Sequence, residues 1–256
     1  MIDSSATTNL LCIIPISTTG MTDSLSRLYP STPGVAITFI DGRDLDECPP
    51  CIENHEQALS STEAVLPRVT SYLNSHAVDG VLVCCFSDHP LVYALQEKFQ
   101  LPITGIFQAA LEEATEDGEK FGIVTTAHAW EDILTVSVKE LGFQKHSAGV
   151  ASTGLGVLEL ESLDRQTVLE RIATSSKRLI DNETKSIILG CAGMTALEHD
   201  IQQVLPSPIK TIDGVRSGIR TLTRLAQKRS GLESGRHTKA YEGDLRRSEG
   251  ADFLVS

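Results

Sequence analysis

Val81-Leu-Val-Cys-Cys-Phe-Ser-Asp-His89 and Ser186-Ile-Ile-Leu-Gly-Cys-Ala-Gly-Met194 are two versions of one pattern. Each is an apolar run of strand length that ends in a cysteine, then small or polar residues, then a helix-like segment. A cysteine just past a buried strand lies at the carboxyl edge of an open α/β sheet, where such sheets face a crevice. Cys85 and Cys191 stand 106 residues apart, and the flanking chain repeats at nearly the same offset.

Asn9–Ile14 reads as a first buried strand, stopped by Pro15, with a hydroxyl-rich turn at Ile16–Asp23 and a helix through Leu25 and Leu28. Val35–Ile40 is a second strand. Residues 57–75 form a helix with Leu59, Val65, Leu66, Val69 and Leu73 at helical spacing. Strands at 79–84 and 101–106 follow, each with a helix behind it. The order restarts at Lys120–Thr125, with a helix around Trp130–Leu141 closed by Gly142. A strand near Ala148, a helix from about 164 to 180, strands at 186–190 and 209–212, and a last helix after Gly214 complete it. Leu101-Pro-Ile103 then matches Ser207-Pro-Ile209 as Cys85 matches Cys191.

Strands alternating with helices predict parallel sheets joined by right-handed crossovers. The expected fold is α/β: two pseudo-symmetric Rossmann-like (flavodoxin-like) lobes with a cleft between them. Residues 9–115 with 207–226 are assigned to lobe one and 116–206 to lobe two. The polar, Gly-rich residues 227–256 read as a mostly disordered tail.

The formal net charge of −12, without a basic stripe, argues against nucleic acid and against an anionic membrane surface as partners. Apolar runs such as Leu10–Ile14 are too short to span a bilayer, and the N-terminus lacks the pattern of a secretory signal. A cytoplasmic protein with reduced thiols is the expectation. No Gly-x-Gly-x-x-Gly or Walker loop occurs.

Two opposed thiols suit the removal of a proton from a carbon beside a carbonyl and its return on the other face, one as thiolate and one as thiol. Free cysteine titrates near 8.5, and helix N-termini lower that value, so the helices after Cys85 and Cys191 are expected to favour thiolates. A lone cysteine at a strand end reads more readily as a small buried hydrophobe; the matched pair carries the signal. Cys84 alternates with Cys85 and is assigned to packing, as is Cys12. His89 either raises the thiolate fraction of Cys85 or starts a helix. Cys48-Pro-Pro-Cys51 admits loop packing, thiol–disulfide chemistry or half of a metal site, with packing preferred and no metal assigned. Ser17, Thr18 and Thr19 after the first strand, and Thr125 and Thr126 after its counterpart, either offer hydroxyls and backbone amides to a substrate or cap helices. The backbone amides of Phe86, Ser87, Ala192 and Gly193 are expected to stabilise an oxyanion.

At Cys85-Phe-Ser-Asp88, Phe121-Gly-Ile-Val-Thr-Thr126, Ile188-Leu-Gly-Cys-Ala-Gly-Met194 and Ile212-Asp-Gly-Val215 the chain resembles the Asp/Glu racemase superfamily, and more closely its hydantoin/allantoin racemase branch. The resemblance runs from about residue 9 to 226. It implies two Rossmann-like lobes, no cofactor, a small-molecule substrate, and Cys85 and Cys191 as the opposed acid and base; a homo-oligomer is a guess it allows. The chain departs from the family where an Asn-Pro-Asn type motif ends the first strand, since Ile14-Pro15-Ile16 stands there. The expected function is a cofactor-independent racemase or epimerase of a cyclic ureide (hydantoin or allantoin type) or related amino-acid derivative. The rivals are a related isomerase or decarboxylase, or a small-molecule-binding protein without catalysis.

Overall fold

The computed structural model describes residues 7–18, 20–181 and 183–248, with the backbone alone for 161 and 232–248. Its first half runs β1 (Thr8–Ile14), α1 (Gly20–Leu28), β2 (Val35–Asp41), α2 (His55–Ser75), β3 (Gly80–Val83), α3 (Pro90–Lys98), β4 (Ile103–Gly105) and α4 (Ile106–Ala114). The second half runs β5 (Lys120–Thr125), α5 (Ala129–Glu140), β6 (Ser147–Ser152), α6 (Glu159–Ser162), α7 (Arg165–Lys177), β7 (Thr184–Leu189), α8 (Glu198–Val204), β8 (Lys210–Asp213) and α9 (Gly214–Ser248).

Two four-stranded sheets result, ordered β2-β1-β3-β4 and β6-β5-β7-β8, and every pairing in both is parallel. The two orders are the same once the halves are superposed in sequence, so the repeat seen in the chain is a repeat of topology. The central strands are apolar without interruption because both their faces are covered, as parallel sheets require. Leu11, Ile13, Val81 and Val83 pack on Val65 and Val69 of α2 and Leu91 and Leu95 of α3. Their neighbours Leu10, Cys12, Ile14 and Leu82 face the middle of the molecule. In the second sheet, Val124, Ile187 and Leu189 pack on Val168 and Ile172 of α7 and Ile201 of α8.

Between the sheets lies one continuous core. It joins the inner faces of β1 and β3, Ile106, Phe107 and Leu111 of α4, Val215 and Leu222 of α9, and Phe121, Ile123, Ile188 and Ile212 of the second sheet. Here the two halves exchange helices. α4 follows the first sheet yet contacts β7 and β8, whereas α9 follows the second sheet yet contacts β1 and β3. Leu222 of α9 sits against Gly80. Assigning residues 207–226 to lobe one therefore needs correction. β8 pairs with β7, from Ser186↔Lys210 to Leu189↔Asp213, and belongs to the second sheet; only α9 returns to the first. Tyr29, just after α1, adds a second tie by donating to Asp213 Oδ2 at 2.6 Å.

The last helix also extends further than the sequence suggests. α9 continues through residues 227–248 instead of giving way to a tail, and residues 249–256 of the expected tail lie outside the described residues. The short helix α6, which periodicity does not reveal, interrupts the loop after β6.

The exchange brings backbone into close contact where α4 and α9 begin. A Cβ at Gly214 would lie 2.5 Å from the Ile106 carbonyl oxygen, and neither main chain can yield without moving a helix. Gly214→Ala is therefore expected to cost about 1–3 kcal/mol. In urea this appears as a lowered unfolding midpoint with an unchanged slope.

Candidate active site

Each cysteine of the matched pair lies two residues beyond a central strand: Cys85 after Val83 and Cys191 after Leu189. Because β3 and β7 occupy equivalent places in their sheets, both cysteines reach the carboxyl edge, and both line one pocket between the halves. Its empty volume is about 500 Å³, including the part open to solvent. Ile14, Pro15 and Ile16 at the end of β1 form one wall with Met21 of α1. Trp130 of α5 and Val157 from the loop after β6 close the other side. Phe86 and Ala192, directly after the two cysteines, also line the pocket. Phe86 is held edge-on against Phe107, with ring centroids 5.2 Å apart.

The two thiols have different surroundings. Burial pushes the Cys85 thiol up to about 12; the Ser87 hydroxyl, 3.4 Å from its sulfur, pulls the other way, and charge at Cys191 adds to the rise. Helix dipoles were expected to favour a thiolate here, and for Cys85 desolvation outweighs them. Cys191 occupies the N-cap of the 3-10 turn Ala192–Leu197, and its sulfur accepts from the Gly193 N–H at 3.4 Å. Cys84 packs in the central core as expected but also touches the pocket. A hydrogen bond with Cys12, then burial, push its thiol well above the ordinary range.

Of the residues expected to meet a substrate, Thr18 and Thr125 are engaged elsewhere through their hydroxyls, and Ser17 and Thr126 are tied through their main chains; Thr19 lies outside the described residues. The Ser17 N–H donates to the Pro49 carbonyl at 3.0 Å, and Thr18 Oγ1 donates to the Pro50 carbonyl at 2.6 Å. Thr125 Oγ1 donates to the Gly190 carbonyl at 3.0 Å, and the Thr126 carbonyl accepts from the Gly154 N–H at 3.0 Å. None of the four forms the pocket wall. They tie the loops that do, because a main-chain carbonyl left bare at a buried strand end is costly. Gly193 faces an adjoining groove, and the Ser87 N–H donates to the Cys85 carbonyl at 3.0 Å.

The sequence did not point to Cys51, Ile52, Met21, Trp130 or Val157 as pocket residues. All five follow the carboxyl ends of β1, β5 or β6, or precede α2 in the long loop after β2; topology names those segments, whereas periodicity does not. Cys48 and Cys51 are free thiols that burial pushes up. They part company: Cys48 is buried beside Gly42, while Cys51 enters the pocket. Among the described residues no group of three or more His, Cys, Asp and Glu side chains is arranged to hold a metal ion. No helix among them is long and apolar enough to cross a membrane.

With this geometry in view, comparison with known proteins is decisive. The profile of the Asp/Glu/Hydantoin racemase family matches residues 10–222. The chain belongs to that family. Family relatives include the uncharacterized protein C1F7.10 of Schizosaccharomyces pombe, 34% identical over 85% of this chain and 92% of that one. The hydantoin racemase of Pseudomonas sp. strain NS671 is 28% identical over 77% of this chain and 80% of its own. Among solved structures, the allantoin racemase of Klebsiella pneumoniae superposes with a TM-score of 0.74 at 28% identity, covering 86% of this chain and 87% of that one. The family's racemases share the two-lobed α/β architecture found here, and membership points to an isomerase.

His89 does not supply positive charge to Cys85. Its Nδ1 accepts the Leu91 N–H at 3.2 Å and caps α3, and burial lowers the imidazole from its ordinary 6.5 to about 4. The unfolded chain then binds a proton below about pH 6.5 that the folded chain refuses until about pH 4. Stability is full above that window and is lost as pH falls through it, by on the order of 3 kcal/mol. His89→Asn keeps a capping acceptor and removes the titration. Its melting temperature should fall less between pH 7 and 5 than that of the wild type.

Proposed function

We propose that this chain is a cofactor-independent racemase or epimerase of a cyclic ureide or a closely related amino-acid derivative, acting through Cys85 and Cys191. One observation carries the proposal: the two cysteines at equivalent ends of β3 and β7 line the same pocket. A carbon flanked by a carbonyl and a nitrogen is acidified by both. One thiolate removes its proton, charge moves to the carbonyl oxygen, and the opposite thiol protonates the carbon from the other face. The opposite enantiomer reacts with the roles reversed, and proton exchange with water returns the two thiols to their starting state, so atoms and charge balance without a redox partner.

The asymmetry of the two sites suggests the starting state. Cys85 is held as a thiol by burial, which suits the proton donor. A thiolate at Cys191 finds the Gly193 N–H already directed at its sulfur. With the Ser87 and Gly193 amides committed within their own turns, Phe86 and Ala192 are the proposed donors to the developing oxyanion. A preorganised donor in a dry site contributes more than it would in water.

The test is turnover of single enantiomers of 5-substituted hydantoins by wild type, Cys85→Ser and Cys191→Ser. Loss of one acid–base group is expected to lower turnover about 10²–10⁴-fold in each variant, with circular dichroism unchanged. A Cys85→Ser variant with full activity would overturn the two-base reading and favour single-thiol chemistry of the decarboxylase kind.

A further inference from the structure

We infer that this cleft selects neutral carbon acids bearing an aromatic or branched aliphatic substituent, over those bearing a ureido group or a free carboxylate. The inference rests on the proposed function and concerns the substrate class of the same site. The pocket that holds the cysteines is also lined by Ile14 and Ile16 at the end of β1, Met21 of α1 and Ile52 of the loop before α2, and Trp130 and Val157 from the second half. Ile14 and Ile16 line the cavity with hydrocarbon, and both are buried, at 0% and 8% exposed. Among the described residues no Lys, Arg, His, Asn, Gln, Asp or Glu side chain forms part of the pocket wall.

The Thr18 and Thr125 hydroxyls do not repair this deficit. Thr18 is bonded to Pro50 and Thr125 to Gly190. A ureido group entering the pocket gives up several hydrogen bonds to water and finds hydrocarbon in exchange. A carboxylate gives up more, without a cation to meet it. An apolar substituent loses nothing polar and removes the same wall area from water. Polar amides in the ring itself are still served by main-chain groups beside the two cysteines, so the discrimination falls on the substituent and not on the ring. An apolar pocket rejects an added polar group only moderately, by about 10–200-fold, and that sets the scale of the effect.

Trp130 gives the measurement a readout independent of catalysis. It is the single tryptophan of the chain and forms part of the pocket wall, so its fluorescence reports occupancy directly. Wild type is titrated with 5-benzylhydantoin, 5-isopropylhydantoin, allantoin and glutamate, and proton–deuterium exchange at each stereocentre is followed in parallel by NMR in D₂O. The two apolar hydantoins are expected to bind at least about tenfold more tightly than allantoin, with no saturable response to glutamate and the same order in exchange rate. Ile16→Asn should narrow the gap between the isopropyl compound and allantoin. Allantoin binding as tightly as the apolar compounds overturns the inference and leaves the racemase reading in place. Preferential binding of the apolar compounds without any exchange upholds the selectivity and removes the racemase reading. No fluorescence response to any of the four, in protein that melts cooperatively, overturns the inference.

Discussion

The contact between Gly214 and the Ile106 carbonyl, at the point where two helices cross into each other's half, is the constraint on which the molecule depends. Each sheet is covered on its inner face by a helix that belongs in sequence to the other. Neither half can bury its central strands alone, and the hydrophobic core is therefore common property. A shared core fixes the relative position of the two carboxyl edges to within the tolerance of close packing, since interiors of this density resist small displacements. The Tyr29–Asp213 hydrogen bond acts in the same direction from the side of α1. Two cysteines on separate sheets are thereby held against one pocket by the most cooperative part of the fold.

That placement carries an electrostatic consequence. A thiol in an apolar cleft keeps its proton, and the cleft is apolar because its walls come from strand ends and from the loops that seal them. Hydroxyls near the edge are drawn to bare main-chain carbonyls, which leaves hydrocarbon to line the cavity. The same desolvation that raises Cys85 makes an enolate costly until oriented amides meet it, so the proposed chemistry relies on the turns after Cys85 and Cys191 more than on any charged side chain. His89 illustrates the rule from outside the pocket: burial removes its charge, and the ring contributes as a helix cap.

Much of this was legible in the chain, for physical reasons. Strands covered on both faces must be apolar throughout, so Leu10–Ile14, Val81–Val83 and Ile187–Leu189 announce themselves, and their recurrence at one offset gives two similar sheets. The repeat also separates Cys85 from Cys84, a distinction that alternation alone leaves open. Four things were hidden. The partner of a strand or helix is set by tertiary pairing, so the chain does not reveal that β8 stays with the second sheet while α9 crosses to the first. Serines and threonines after a strand look alike whether they meet a ligand or a carbonyl, and here Thr18 and Thr125 meet carbonyls. The pocket wall comes from loops, where Ile52, Trp130 and Val157 obey no period. The polar composition beyond Gln227 concealed a helix that continues from an anchored first half.

The most direct test of the opposed-thiol account uses one pure enantiomer of an apolar 5-substituted hydantoin in D₂O, stopped early in the reaction. Two bases on opposite faces deliver solvent deuterium to the product while the unreacted substrate keeps its protium, so the mirror-image product should be almost wholly deuterated and the recovered starting enantiomer almost wholly not. Equal deuteration of both enantiomers at low conversion would mean that a single group serves both faces, and would contradict the account.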